Sequence, residues 1–162
     1  MRKSKVIYLT AIILLSLVFI TGCKSETEKE KGKLSVINCT RNGSIDGATA
    51  SLKYKIYYKG DYIKILSSVE KITSSDSDIL DQYESAYKKI FSAYDGLDYY
   101  ENNVTRKDNS VISETTINYG KIDTDKLLEI EGAEDNVIED GKVKVSTWIS
   151  FAEKLGASCD NK

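Results

Sequence analysis

Histidine is absent from all 162 residues, so the chain lacks the commonest general base of enzymes and the commonest ligand of transition metals. Proline is also absent, and lysine greatly outnumbers arginine. We attribute this bias to an AT-rich genome in preference to a functional requirement. Only three cysteines are present, Cys23, Cys39 and Cys159. These absences narrow the possible chemistry, and we expect neither a metal site nor a cofactor.

The N-terminal residues have the three parts of a secretory signal: a basic start, an uncharged run and small residues at the end. Residues 6–22 carry no charge and lead directly into Cys23. The junction LVFITGC at 17–23 resembles the lipobox of bacterial lipoproteins, in which the cysteine is lipidated on sulfur and becomes the new N-terminus. An uncleaved anchor is the alternative, but a spanning helix needs ~20 apolar residues and this run is shorter. We therefore expect residues 1–22 to be removed as a lipoprotein signal peptide.

Residues 24–33 contain no hydrophobic side chain, so they have nothing to bury and are expected to stay disordered. A diacylglyceryl group on Cys23 supplies the two chains that stable membrane attachment requires. Ten extended residues span at most about 35 Å, which keeps the folded part near the bilayer. The sequence thus predicts residues 23–33 as a lipidated cysteine and charged tether, and residues 34–162 as a single domain on the extracytoplasmic side of the cell membrane.

Loss of the signal removes three basic residues and no acidic one, which changes the formal net charge from −2 to −5. This mild acidity argues against nucleic acid as a partner. The expected partners are the lipid bilayer, through acylated Cys23, and either an envelope glycopolymer or a membrane protein.

Cys39 and Cys159 lie near the two ends of the predicted domain. Two thiols outside the membrane favour a structural disulfide, which would join the first strand to the C-terminus. Two free buried thiols or a redox pair are the alternatives. Neither cysteine has the Cys-x-x-Cys spacing or the adjacent histidine that a redox site needs.

Alternating apolar and polar residues predict strands in the first half of the domain. A short β-branched run at 34–38 is followed by a segment rich in Gly and Asn at 41–47, which indicates a loop. Residues 50–59 then alternate strictly, and a turn at Gly60 leads into a return strand at 62–72. The last two segments form a predicted hairpin.

In the return strand, alternation puts Ile63, Ile65 and Val69 on the core side and Lys64 and Glu70 on the side that meets water. The wet face of the hairpin is a stripe of cations and aromatic rings, which can bind an anionic polymer, a sugar or a partner protein. Alternatively, the lysines only keep an open sheet soluble and protect its edge. The candidate binding face consists of Lys53, Lys55, Tyr57, Lys59, Tyr62 and Lys64.

Residues 76–94 change to the period of an amphipathic helix. Ser75 or Asp76 can cap its start, and Gly96 suits the position after its end. The remaining predicted elements are strands at 97–106 and 111–119, a short helix at 123–130, and a last helix with Ser146 as its N-cap.

Two hairpins separated by a long amphipathic helix, with short C-terminal helices, predict an α+β fold whose antiparallel sheet has one face covered by helix and one open to solvent. The succession of KYKIYYKGD at 53–61, this helix, Asp-Gly at 95–96, INYGKID at 117–123 and a closing helix before Gly156 resembles the YehR-like lipoproteins. That family comprises small envelope proteins without an assigned activity. The resemblance implies the same α+β fold and adds no mechanism.

Two motifs that suggest chemistry lack the context they need. Ser85 and Lys88 match the Ser-x-x-Lys pattern of penicillin-recognising enzymes, but the partner motifs Ser-Asp-Asn and Lys-Thr-Gly are missing. The acidic residues at 76–81 and 134–141 lack the spacing of a calcium-binding EF-hand loop. They are more simply a helix cap and a solvated loop. We therefore expect a non-enzymatic binding or accessory module; a structural envelope component is the second possibility and a hydrolase the third.

Overall fold

An antiparallel sheet and three helices make up the part of the chain that the computed structural model describes, residues 31, 34–45, 47–131, 138–139 and 141–160. The α+β class and the antiparallel sheet expected from the sequence are confirmed. The helices are α1 (Ser77–Phe91), α2 (Thr124–Glu131) and α3 (Val145–Lys154). The strands are β1 (Ser35–Ile45), β2 (Ala48–Lys59), β3 (Tyr62–Thr73), β4 (Tyr100–Lys107), β5 (Ser110–Asn118), β6 (Ile138–Glu139), β7 (Lys142–Val143) and β8 (Ser158–Cys159).

Six strands form the main sheet in the order β4-β5-β3-β2-β1-β8, and β6 and β7 form a separate short ladder. We call the face that carries Tyr54 and Leu66 the inner face, because both side chains belong to the hydrophobic core that the helices complete. The opposite face is the outer face. Trp148 of α3 packs edge-on against Tyr54, with ring centroids 5.2 Å apart. Helix α1 adds Leu80, Tyr87 and Phe91 to the same core.

Strand β1 is longer than the sequence pattern indicates. The predicted loop at 41–47 is wrong over most of its length, because Arg41 to Ile45 continue β1 and pair with Leu52 to Ala48 of β2. The φ of Gly43 is not positive, and this residue occupies a regular position in the strand. The φ of Gly47 is 87°, a conformation that favours glycine, so the change of direction occurs at this residue.

A β-bulge interrupts the pairing of β2 and β3. Tyr57 lies opposite Ile65, but the next residue, Tyr58, lies opposite Ile63. Lys64 is the extra residue and has no partner in the β2 register. An inserted residue sends the side chains that follow it to the other face of the sheet.

The bulge overturns the predicted sides of β3. Ile63 is on the inner face, whereas Ile65 and Val69 are on the outer face. Glu70, expected to meet water, lies opposite Leu52 on the inner face and is only 4% exposed. A carboxyl group therefore enters the core.

Asp76, one of the two residues predicted to cap helix α1, is its N-cap. The Asp76 side chain accepts a hydrogen bond of 2.9 Å from the Asp78 backbone N–H. The α-helix ends at Phe91, earlier than expected, and a single 3-10 turn at Ser92–Tyr94 follows it. Gly96, with φ of 81°, then turns the chain toward β4.

Replacement of the cap, Asp76→Ala, is expected to lower the free energy of unfolding by about 1 kcal/mol, because a helix N–H loses its acceptor. Urea denaturation measures the change. Ser75→Ala is the matched control, since Ser75 is an exposed neighbour outside the helix. Equal stability of the two variants would show that the Asp76 cap contributes nothing.

The last helix is not capped as predicted. Ser146 lies inside α3, Lys144 occupies the N-cap position, and no side chain caps it. The Val145 backbone N–H instead donates to the carbonyl oxygen of Asp61 at 2.9 Å. A backbone group in the β2–β3 turn thus replaces the expected serine hydroxyl.

A disulfide joins Cys39 of β1 to Cys159 of β8, the pairing expected from the sequence. The two cysteines are directly opposite each other in the antiparallel register. A backbone hydrogen bond of 2.8 Å from Asp160 N–H to the Asn38 carbonyl extends the contact. The C-terminal part of the described chain is therefore attached to the first strand.

Candidate functional site

The outer face brings together five of the six residues predicted as a binding face. Lys53, Lys55, Tyr57 and Lys59 alternate along β2, and Tyr62 lies opposite Lys59. Lys53 and Lys59 are exposed, and the other three are half-buried. We call these five residues the lysine face. Lys64 is the half-buried extra residue of the bulge, so the register assigns it to neither face and this definition leaves it out.

Both tyrosine rings of the lysine face contact a cation from elsewhere in the chain. Lys31 Nζ lies 5.4 Å from the ring centroid of Tyr57, and Lys142 Nζ lies 5.4 Å from that of Tyr62. Both distances are within the ~6 Å range of cation–π contacts. The rings therefore carry bound positive charge, which favours an anionic ligand over a neutral sugar stacked on a bare ring.

Charge on the outer face is opposite in sign to that of the whole chain. In strands β1 to β5, the register places five lysines on this face outside the bulge, the three of the lysine face together with Lys71 and Lys107. It places two acids there, Glu101 and Glu114. The chain as a whole has a formal charge of −2, so the excess of positive charge is a local property of this face.

The outer face is only partly open to water. Most outer-face residues of β1 are exposed, whereas Ile65, Ser67, Thr116 and Asn118 at the centre are buried. The expectation of a fully wet face is therefore corrected at the centre of the sheet. The open part is the side toward β1 and β2, where the lysine face lies.

A second group of polar residues lies inside the fold around Glu70. Burial raises the pKa of Glu70 from 4.5 to about 7, and the neighbouring Tyr87 hydroxyl and Arg41 charge lower it by less. Burial also raises the pKa of both Tyr54 and Tyr87, and the Glu70 carboxylate raises them further. Both tyrosines consequently remain neutral at any physiological pH.

Three polar atoms of this group are buried without a hydrogen bond of good geometry to any described residue: Glu70 Oε2, Tyr87 Oη and Arg41 Nη1. A cavity of about 110 Å³ adjoins two of these residues, Glu70 and Arg41. Sequence reasoning missed both. A signal was present, since arginine is rare in this chain and Arg41 lies two residues before Gly43, which leaves space beside it.

Two wider hollows lie at the surface. One, of about 470 Å³, lies between the end of α1 and β4, and its Tyr94 and Tyr100 rings stack at 4.4 Å as part of the core. The other, of about 510 Å³, lies by Gly47 and Asn109 at the ends of strands. Both are shallow and open to solvent, and neither combines converging charges with burial.

The motifs considered for chemistry have structural partners. Asp76 caps α1, and Asp81 accepts a hydrogen bond of 3.1 Å from Arg106 Nη1. Lys88 forms an ion pair with Glu84, one helical turn away. No group of three or more acidic or cysteine side chains in the described ranges is arranged to hold a metal ion. Most of the acidic segment 134–141 lies outside those ranges.

Cys23 and the rest of residues 1–30 lie outside the part of the chain that the structure describes. The predicted signal, the lipidated cysteine and most of the tether fall in this segment. Of the helices that are described, none has both the length and the apolar character needed to span a membrane.

Solved structures from two bacteria share this fold. The NMR structure of the Escherichia coli YehR protein matches with a TM-score of 0.56 at 18% identity, covering 78% of this chain and 92% of that chain. The NMR structure of a protein from Streptococcus pneumoniae TIGR4 matches with a TM-score of 0.54 at 17% identity, covering 91% of this chain and 94% of that chain. No family model matches the chain, and no curated protein does. The likeness shows a YehR-like fold.

Proposed function

We propose that this chain is a lipid-anchored extracytoplasmic binding module without catalytic activity, and that its lysine face holds an anionic glycopolymer of the cell envelope. The observation that carries the proposal is the segregation of charge, with five lysines against two acids on the outer face of an acidic chain. A local excess of one sign attracts a polymer of the opposite sign. We also propose membership of the YehR-like lipoproteins, which the shared fold supports.

The spacing of the lysines suits a polymer better than a compact ligand. Alternate residues of a strand lie about 6.6 Å apart, so Lys53, Lys55 and Lys59 extend over about 20 Å. Lys31, four residues before the start of β1, adds a further cation beside Tyr57. A linear polyanion can contact successive cations along such a row, whereas a small anion meets only one or two.

The proposed anchor places this surface where envelope polymers are found. Acylation of Cys23 and a tether ending at residue 33 would hold the domain within about 35 Å of the bilayer. Lipidation requires a separate test, which is mass spectrometry of the protein from membrane fractions. An unmodified Cys23 in a soluble mature protein would contradict the anchor and leave the lysine face unaffected.

Replacing Lys53, Lys55 and Lys59 together by Ser is expected to weaken binding to purified teichoic acid, a phosphate-bearing glycopolymer, by about tenfold. Each exposed charge contact contributes about 0.5 kcal/mol, and 1.4 kcal/mol corresponds to a factor of ten. Biolayer interferometry at low and at physiological salt measures the change. Binding by the native chain should also weaken as salt rises, because salt screens exposed charges.

The matched control removes the same charge from another surface, by replacing Lys89, Lys121 and Lys154 with Ser. All three are exposed residues of helices or of the segment after β5. This variant should bind like the native chain. If both triple variants lose affinity equally, net charge and not the lysine face determines binding. If neither does, the proposed function is wrong.

A further inference from the structure

The inner face contains a small cavity near the turn between β1 and β2. Gly43 and Ala50 are directly opposite each other in the register, so two neighbouring positions carry almost no side chain. Leu52 and Ile45 provide apolar walls, and the cavity has a volume of about 110 Å³. Gly43 and Ser44, which also line it, are exposed. The cavity is therefore reachable from solvent at this end.

Two ionisable side chains, one basic and one acidic, line this cavity without contacting each other. Leu52 of β2 lies opposite Arg41 of β1 on one side and opposite Glu70 of β3 on the other. The backbones of Arg41 and Glu70 are therefore two strands apart, a distance of about 10 Å. The two side chains form no ion pair with each other or with another described residue. Arg41 Nη1 and Glu70 Oε2 are both buried and make no hydrogen bond of good geometry to a described residue. The Tyr87 hydroxyl lies close enough to Glu70 to favour its carboxylate form, but it supplies no positive charge.

The unmatched atoms determine which ligand chemistry suits the cavity. Arg41 Nη1 is a hydrogen-bond donor and pairs best with an anionic acceptor. Glu70 Oε2 is an acceptor and pairs best with a cationic donor. A lone anion would leave the carboxyl group unmatched, and a lone cation would leave the guanidinium unmatched. A buried charge is costly unless it is paired, and Glu70 avoids part of that cost by holding its proton up to a pKa of about 7. A ligand that carries both charges pairs Arg41 with its carboxylate, and its ammonium group takes the place of the Glu70 proton.

We propose that this cavity binds a small zwitterion of the amino-acid class, with its carboxylate on Arg41 and its ammonium group on Glu70. The site is separate from the lysine face, which lies on the other side of the sheet, and does not depend on the function proposed for that face. Tyr54 and Tyr87 interact with Glu70 as neutral hydroxyl groups and add no competing charge.

Size restricts the ligand to the smallest members of the class. A cavity of about 150 Å³ takes up benzene, which has six non-hydrogen atoms. The present cavity, of about 110 Å³, accordingly suits glycine, with five non-hydrogen atoms, or a molecule close to it in size. Longer amino-acid side chains would meet Leu52 and Ile45.

Titration of the purified protein with glycine, followed by the backbone amide NMR signals of Gly43, Ala50 and Leu52, tests the proposal. Glycine should produce saturable shifts at these residues. Acetate, which lacks the ammonium group, and methylamine, which lacks the carboxylate, should each bind at least tenfold more weakly. Absence of saturable shifts with glycine, or equal binding of acetate or methylamine, would overturn the assignment.

Substitutions separate the cavity from the rest of the fold. Gly43→Val should abolish glycine binding by filling the cavity, and the strand should tolerate it because a Cβ at Gly43 meets no atom within 4 Å. Glu70→Gln should weaken binding at least tenfold. Lys121→Ser, at an exposed position after β5, should leave binding unchanged. A folded Gly43→Val variant that binds glycine like the native chain would place the ligand elsewhere and refute the proposal.

Discussion

Loss of the Cys39–Cys159 disulfide is expected to lower the free energy of unfolding by about 5 kcal/mol, the largest effect that a change in one feature of this chain should produce. The bridge joins residues separated by 120 positions, so it restricts the unfolded chain strongly. On the loop-entropy description, closing a loop of about this length corresponds to about 5 kcal/mol at 25 °C. Typical domains are stable by only about 5 to 15 kcal/mol.

The local structure around the bridge adds to this expectation. Strand β8 pairs with β1 at only two positions, and Trp148 of α3 packs on Tyr54 just upstream. Without the covalent bond, few backbone contacts hold β8 to the sheet, whereas Trp148 and the Val145–Asp61 hydrogen bond still hold α3. We therefore expect β8 to separate from the sheet before the rest of the fold unfolds.

Guanidinium denaturation of a Cys39→Ala, Cys159→Ala double variant measures the effect. Trp148 is the single tryptophan of the chain and is buried, so its fluorescence reports on the segment concerned. Native protein with a reducing agent should behave like the double variant, and Cys23→Ser should behave like native protein. A loss of less than about 1 kcal/mol, far below the loop-entropy value, would mean that the bridge contributes little.

Stability is also expected to fall by about 3 kcal/mol as the pH rises from about 4.5 to about 7, because of Glu70. Its pKa rises from 4.5 to about 7 on folding, so the folded state holds this proton more tightly than the unfolded state does. The stabilisation is fully present below pH 4.5 and is lost as the pH rises through 7. Each pKa unit corresponds to about 1.4 kcal/mol, which gives the stated magnitude.

The groups that face Glu70 do not cancel this effect. Tyr87 on α1 and Tyr54 on β2 have raised pKa values and stay neutral throughout the interval. Arg41 on β1 lowers the pKa of Glu70 by less than burial raises it. Between pH 4.5 and 7, Glu70 is thus the member of this group that titrates.

Urea denaturation at several pH values, for native protein and for Glu70→Gln, tests this prediction. The glutamine variant should lack the component of about 3 kcal/mol, because it has no proton to lose. Glu84→Gln is a control, since Glu84 is a half-buried glutamate of α1 paired with Lys88. Identical pH profiles for native protein and Glu70→Gln would contradict the assigned burial of the Glu70 charge.

Periodicity predicted the elements whose pattern is not interrupted. Helix α1 and strand β2 follow their spacing closely, and the α+β class with its antiparallel sheet follows from their order. The extension of β1 through Gly43 could not be predicted, because Gly and Asn disfavour strands locally. Pairing with β2 along the whole length of β1 overrides that preference, and such pairing depends on distant residues.

For the candidate sites, too, the prediction is correct where the alternation is uninterrupted and wrong after the bulge. The extra residue of the bulge, Lys64, lies in β3, so the alternation of β2 is not interrupted and placed its lysines on a common face correctly. Glu70 follows Lys64 in β3, and alternation placed Glu70 on the wrong side. A bulge between Tyr57 and Tyr58 has no marker such as glycine in this sequence. The group of polar residues around Glu70 could therefore be recognised only from the structure, whereas most of the lysine face could be predicted from the sequence.

The cross-strand bridge also determines how a mechanical load would travel through this domain. If the protein is anchored at Cys23 while a polymer holds the outer face, tension enters β1 at Ser35 and reaches Cys39 within its first few residues. There it divides between the β1–β2 ladder and the covalent link to β8. Strand β1 therefore cannot be peeled from its N-terminus alone, and the domain should resist pulling better when oxidised than when reduced.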